Sequence, residues 1–190
     1  MTVWSSPAAA GDHNVMIGAT GRVGAAAYGR RMIREAVPGD VPGIIGLIRA
    51  LADYERSLDQ VQITDPQLHA ALFGADAVAG CYVAETDGEL VGMALWFRTY
   101  STWTGEVGLY LEDLFVQPTH RGAGHGRALL ARLAQHCVEH GWPRFEWAVL
   151  DWNLPAIGFY EALGARPLDS WTTYRVTGPT LGELAQSATQ

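Results

Sequence analysis

The chain has 190 residues, 48% apolar, 17% charged and 10% aromatic, which describes a soluble globular protein with enough apolar material for one real core and one domain. Its formal charge of −7 argues against non-specific nucleic-acid binding, which needs a cationic face, and suits a cationic small substrate. No apolar run reaches the length of a membrane span, and the first 20 residues carry Asp12 but no Lys or Arg, so the sequence shows neither anchor nor secretory signal.

Residues 1–31 are rich in Ala, Gly and Ser and read as a disordered leader or an over-long start, and the patterned domain spans 32–178, followed by a tail over 179–190. A short strand is expected near 32–36. A helix follows from the cap Asp40, with Pro42 early, to about Glu55. Thr64 caps a second helix whose apolar spacing runs through Leu68, Leu72 and Phe73. "AGCYVAET", the turn Asp87-Gly88, "ELVGMALWFRTY" and "GEVGLYLEDLFV" predict three strands of an antiparallel meander. The period then changes. Leu129, Leu130, Leu133, Ala134, Cys137 and Val138 recur at helical spacing until Gly141. "RFEWAVL" predicts another strand, "NLPAIGFYEALG" a helix opened by Asn153, and "WTTYRVT" a last strand. The fold class is α+β, or mixed α/β, around one sheet. Cys81 and Cys137 form no CxxC pair and read as small buried hydrophobes, which fits a reducing cytosol and a cytoplasmic location.

"EDLFVQPTHRGAGHGRALLARLA", residues 112–134, carries the chemistry. Arg121, Gly124 and Gly126 precede a long helix, where glycines let backbone N–H groups converge and the helix start favours negative charge. That describes a phosphate cradle, although a glycine-rich turn that binds nothing has the same spacing. The Lys-Ser/Thr of a nucleotide P-loop is missing, which favours a bare pyrophosphate over a Mg-nucleotide. "GATGRVG" at 18–24 is also glycine-rich, but no repeat of strand-helix units follows it as a dinucleotide fold requires. His136 and His140 stand one turn apart without a third ligand at fitting spacing, so no metal is expected.

"LEDLFVQPTHRGAGHGRALL" resembles motif A of the GNAT N-acetyltransferases. Together with "VLDWNLPAIGFYEALGA" and "LIRALADYERSLDQVQIT", it resembles the diamine branch of that family, the spermidine/spermine and thialysine type, over about Met32 to Val176. The resemblance implies the GNAT fold, a mostly antiparallel central sheet with splayed strands flanked by helices. It implies an acetyl-CoA-dependent N-acetyltransferase that moves an acetyl group to a primary amine of a small molecule by direct attack in a ternary complex, with no metal, nucleic acid or membrane involved. Pyrophosphate would lie on Arg121, Gly122, Ala123, Gly124, His125, Gly126 and Arg127, with Asn153 and Tyr160 also at the cofactor. Pantetheine would run along Leu114, Phe115 and Val116.

The same resemblance gives Glu112 as the base for the amine and Tyr160 as the proton donor to the departing thiolate. Asp113, Glu55, Trp103 and Trp171 would hold the cationic substrate. Adjacent strand residues point to opposite faces, so Glu112 and Asp113 cannot both enter a cleft unless a bulge re-aims them. Ser101 stands where the human-type diamine enzymes carry an Asp, and Trp103 aligns only across a one-residue insertion, which leaves polyamine, thialysine, another amino acid or an aminoglycoside open. The branch implies a homodimer with shared active sites. A catalytically silent acyl-CoA-binding domain of the same fold is the rival reading.

Overall fold

The computed structural model describes residues 31–189; the leader assigned to 1–31 lies, but for Arg31, outside the described residues, as does the 18–24 loop. Five strands form one sheet in the order β1-β2-β3-β4-β5. They are β1 (Arg31–Glu35), β2 (Gly80–Thr86), β3 (Glu89–Ser101), β4 (Glu106–Val116) and β5 (Arg144–Trp147). The first four pair antiparallel, and β5 joins β4 parallel, as the intervening helical crossover requires.

The helices are α1 (Val41–Tyr54), α2 (Asp65–Phe73), α3 (His125–His140), α4 (Leu154–Glu161) and α5 (Pro179–Gln186). Each start has a local cause. Pro lies in the first turn of α1 and α2, and at Thr64 the backbone N–H donates to Gln67 Oε1 at 2.9 Å. Gly141, at φ +67°, ends α3 in the left-handed conformation that glycine adopts without penalty.

The strand alternation divides the core between two faces. Val83, Met93 and Phe115 pack with Ile44, Leu47 and Leu68 beneath α1 and α2. Tyr82, Ala84, Val91, Leu109 and Leu111 pack with Leu129, Leu130 and Leu133 of α3. Cys81 and Cys137 are buried free thiols, one in each cluster. No described helix is long and apolar enough to cross a membrane.

β1 begins one residue before the expected strand, and two further elements differ more from the sequence expectation. β5 stops at Trp147, three residues before the expected end, and 171–177 is not a strand. The latter segment is exposed throughout, so its β-branched and aromatic residues have no neighbour to pair with, and strand propensity without a neighbour forms no strand. Sheet packing also yields a prediction. A Cβ at Gly80 would fall 2.5 Å from the Trp96 indole, so Gly80→Ala is expected to cost about 1–3 kcal/mol, read as a lowered thermal midpoint.

Candidate active site

The site lies where two parallel strands part. β4 and β5 pair from Gly108 opposite Arg144 to Leu111 opposite Trp147, and there β5 ends while β4 runs on to Val116. At the same place β4 carries an extra residue. Leu95 of β3 opposes Asp113 and Trp96 opposes Leu111, which leaves Glu112 as the bulge. The bulge removes the strict alternation, and Glu112 and Asp113 both line one cleft of about 640 Å³. Leu114, Phe115 and Val116 form one wall of it and 148–150 the other.

The glycine loop closes one end. Gly122 and Gly124 hold φ of +77° and +84°, and α3 begins at His125. The first bond of the helix, Ala128 N–H to the Gly124 carbonyl at 3.0 Å, leaves the amides of His125, Gly126 and Arg127 without helical partners. Arg121 is fixed against the cleft. Its Nε donates to the Val116 carbonyl at 3.0 Å, and its guanidinium lies 4.8 Å from the Tyr54 ring centroid and 5.7 Å from that of Phe115. Arg121, Gly122, Gly124, His125, Gly126 and Arg127 all line the cleft; Ala123 lies within the loop but not on the lining. A loop of amides and arginines, with no described carboxylate paired to Arg121 or Arg127, fits a pyrophosphate.

Acids occupy the cleft as well. Glu55, at the end of α1, joins Glu112 and Asp113 in the lining. Burial, then the charges of Glu112 and Glu55, pushes the Asp113 carboxyl up to about 6. Burial also raises Glu55. No described arginine forms an ion pair with any of the three, so they form an uncompensated anionic pole. The sign for stability follows from the raised value. Folded Asp113 holds its proton more tightly than the unfolded chain does, so its ionisation removes stability as pH rises through about 6. Asp113→Asn is therefore expected to raise the unfolding free energy at pH 8 by an amount on the order of 2 kcal/mol, read as a higher thermal midpoint, and to leave it unchanged at about pH 3, below both the unfolded and the folded value.

Tyr160 faces the acids from α4. Burial, then the charge of Glu55, raises its hydroxyl, which keeps it protonated near neutral pH and able to donate. Its ring is set 5.1 Å from Trp147 and 5.4 Å from Phe159. Asn153 opens α4 as expected and also ties it to α1, since Asn153 Oδ1 accepts from Ala156 N–H at 3.4 Å and from the Tyr54 hydroxyl at 3.2 Å. Trp103 and Trp171 stand elsewhere. They are 89% and 73% exposed, and neither lines the cleft. Sequence reasoning passed over Tyr54 and His120, which both line it. Tyr54 precedes Glu55 at the helix end and could have been read from its place; His120 gives no such signal.

A splayed strand pair opens onto a glycine-rich helix start and is flanked by acids and a protonated tyrosine, an arrangement that can hold a phosphate-bearing molecule beside groups able to move a proton. The sequence model of the acetyltransferase (GNAT) family matches residues 46–165, and the chain belongs to that family. It is an N-acetyltransferase. The thialysine N-epsilon-acetyltransferase of Sus scrofa is 41% identical over 165 residues, covering 81% of this chain and 96% of that protein. The L-ornithine N5-acetyltransferase of Arabidopsis thaliana is 39% identical over 92 residues, 48% of this chain and 40% of that protein. Among solved structures, an integron cassette protein from the mobile metagenome of V. cholerae superposes with a TM-score of 0.70 at 23% identity, over 82% of this chain and 98% of its own.

Proposed function

We propose that the enzyme acetylates a primary amine of a small molecule that carries a second cationic centre, a diamine or a diamino acid of the thialysine type. The observation that carries this reading is the pole formed by Glu55, Glu112 and Asp113, whose combined charge no described arginine neutralises by an ion pair. One acid suffices to remove a proton. Three suit a substrate with a second ammonium to hold.

Acetyl-CoA, when bound, supplies the activated acetyl group. The amides of 124–127 and the guanidiniums of Arg121 and Arg127 hold its pyrophosphate, and Leu114, Phe115 and Val116 line its path to the acids. The ammonium loses its proton to the adjacent carboxylates before it can attack. Asp113, raised to about 6, is mostly ionised at neutral pH and basic enough for that work. Glu112, exposed on the bulge, takes the base role assigned from sequence jointly with it, meeting the ammonium and orienting it. The Tyr160 hydroxyl supplies a proton where the sulfur leaves. Tyr160→Phe is expected to lower kcat about 10²-fold while leaving CoA affinity within about twofold, checked by steady-state kinetics and calorimetry.

The reading includes a homodimer. Residues 166–188 are exposed throughout, with Trp171, Tyr174, Leu181 and Leu184 among them, an apolar display that a second copy would cover. Light scattering is expected to give twice the 20.6 kDa chain mass. In that assembly Trp171 and Trp103 would be placed by contacts between subunits.

The choice among amines rests on a panel assay of thiol release. Diamines and diamino acids are expected to give kcat/KM at least about tenfold above monoamines of equal length, the worth of one charge-assisted contact. Equal values would remove the case for a second cationic centre.

A further inference from the structure

One cation reaches the glycine loop from outside the stretch that the family model matches. Arg31 opens β1, and the pleat of the strand sets Arg31, Ile33 and Glu35 on one face. Ile33 packs with the cluster containing Leu129 and Leu133, and Glu35 accepts from the Tyr82 hydroxyl at 3.3 Å, which in turn meets His136 at 2.9 Å. This is the face that α3 covers. Followed to its first residue, it brings the Arg31 guanidinium to the start of α3, where a Cβ built on Gly124 would lie 3.3 Å from Nη1.

Arg31 is not held there by any described carboxylate. Arg34, on the opposite face of the same strand, is held by Asp40 at 2.6 Å and Glu85 at 2.8 Å. The surroundings of Arg31 are cationic instead. His120, Arg121 and Arg127 line the same end of the cleft. His125 is 2% exposed with its Nδ1 unpartnered, and burial, then the charges of Arg31 and His120, holds its imidazole below the usual range. Cations gathered without a counter-ion repel one another, and a bound anion offsets that repulsion by attracting each of them.

We propose that Arg31 is a pyrophosphate-binding residue of this enzyme, contributed to the cradle by the first strand. The proposal rests on the acetyl-CoA reading of the cleft and extends it to a residue that the glycine motif does not contain. Arg31 acts on the donor's phosphates and leaves the acetyl transfer itself unchanged.

Calorimetry of CoA and of dephospho-CoA against the full-length wild type, Arg31→Ala and Arg31→Lys tests it. Arg31→Ala is expected to raise Kd about tenfold for both ligands, with Arg31→Lys between the two, and to weaken the salt dependence of binding. With acetyl-pantetheine, which lacks the pyrophosphate, Arg31→Ala should keep the wild-type kcat/KM. Equal CoA affinity in wild type and Arg31→Ala overturns the proposal. So does a loss confined to CoA, which would assign Arg31 to the 3′-phosphate, or an equal loss with acetyl-pantetheine, which would mark a structural role. A wild type that binds no CoA contradicts the acetyl-CoA reading of the cleft itself, and the Arg31 proposal falls with it.

Discussion

Replacing Asp113 by asparagine is expected to lower kcat about 10²- to 10⁴-fold at pH 7, the usual cost of losing a general base. The pH profile separates this from a loss of binding. With Asp113 raised to about 6, wild-type activity should climb through an acid limb centred near that value, because the ionised form is the active one. Asp113→Asn should lose that limb and regain rate steadily toward pH 10, as more amine arrives already neutral. Glu112→Gln, at the exposed bulge, should lower kcat by a smaller factor than Asp113→Asn, since the two share the base role, and should also raise the KM for amine. If Asp113→Asn kept its acid limb near 6 and a kcat within twofold of wild type, the proton would be leaving by another route.

Gly124→Val is expected to abolish measurable CoA binding in a folded protein. Gly124 holds φ at +84°, where a β-branched residue is strained, and the added methyls would enter the space between Arg31 and the free amides at the head of α3. Both effects fall on the phosphate site. Gly124 is also the last residue before the helix, so the remaining turns of α3, with Leu129, Leu130 and Leu133 in the core, need not move. Retained CoA affinity in a folded Gly124→Val, by calorimetry, would remove the loop from the site.

The glycine loop was legible in the sequence because its cause is local. The glycines, the following amphipathic period and the stop at Gly141 lie within one continuous stretch, and the helix formed as read. The acids were legible as types but not as geometry. Strict alternation puts Glu112 and Asp113 on opposite faces, and the bulge that brings both to the cleft exists only in the pairing with Leu95 and Trp96 of a different strand. The first strand was read one residue late, because composition places the boundary after residue 31, and the pairing of Arg31 opposite Thr86 exists only across the sheet. "WTTYRVT" misled for the related reason that strand propensity expresses the fit to a partner, and none lies beside it in one copy.

The central claim is acetyl transfer, and thiol release tests it most directly. Full-length protein is mixed with acetyl-CoA and a panel of diamines, diamino acids and monoamines at pH 8, and free CoA thiol and acetylated amine are measured together. The account predicts both products in equal amounts, in amine-dependent turnover that Tyr160→Phe and Asp113→Asn each reduce. Tight CoA binding with no amine-dependent thiol release across the panel would contradict it and leave a silent acyl-CoA-binding domain in its place.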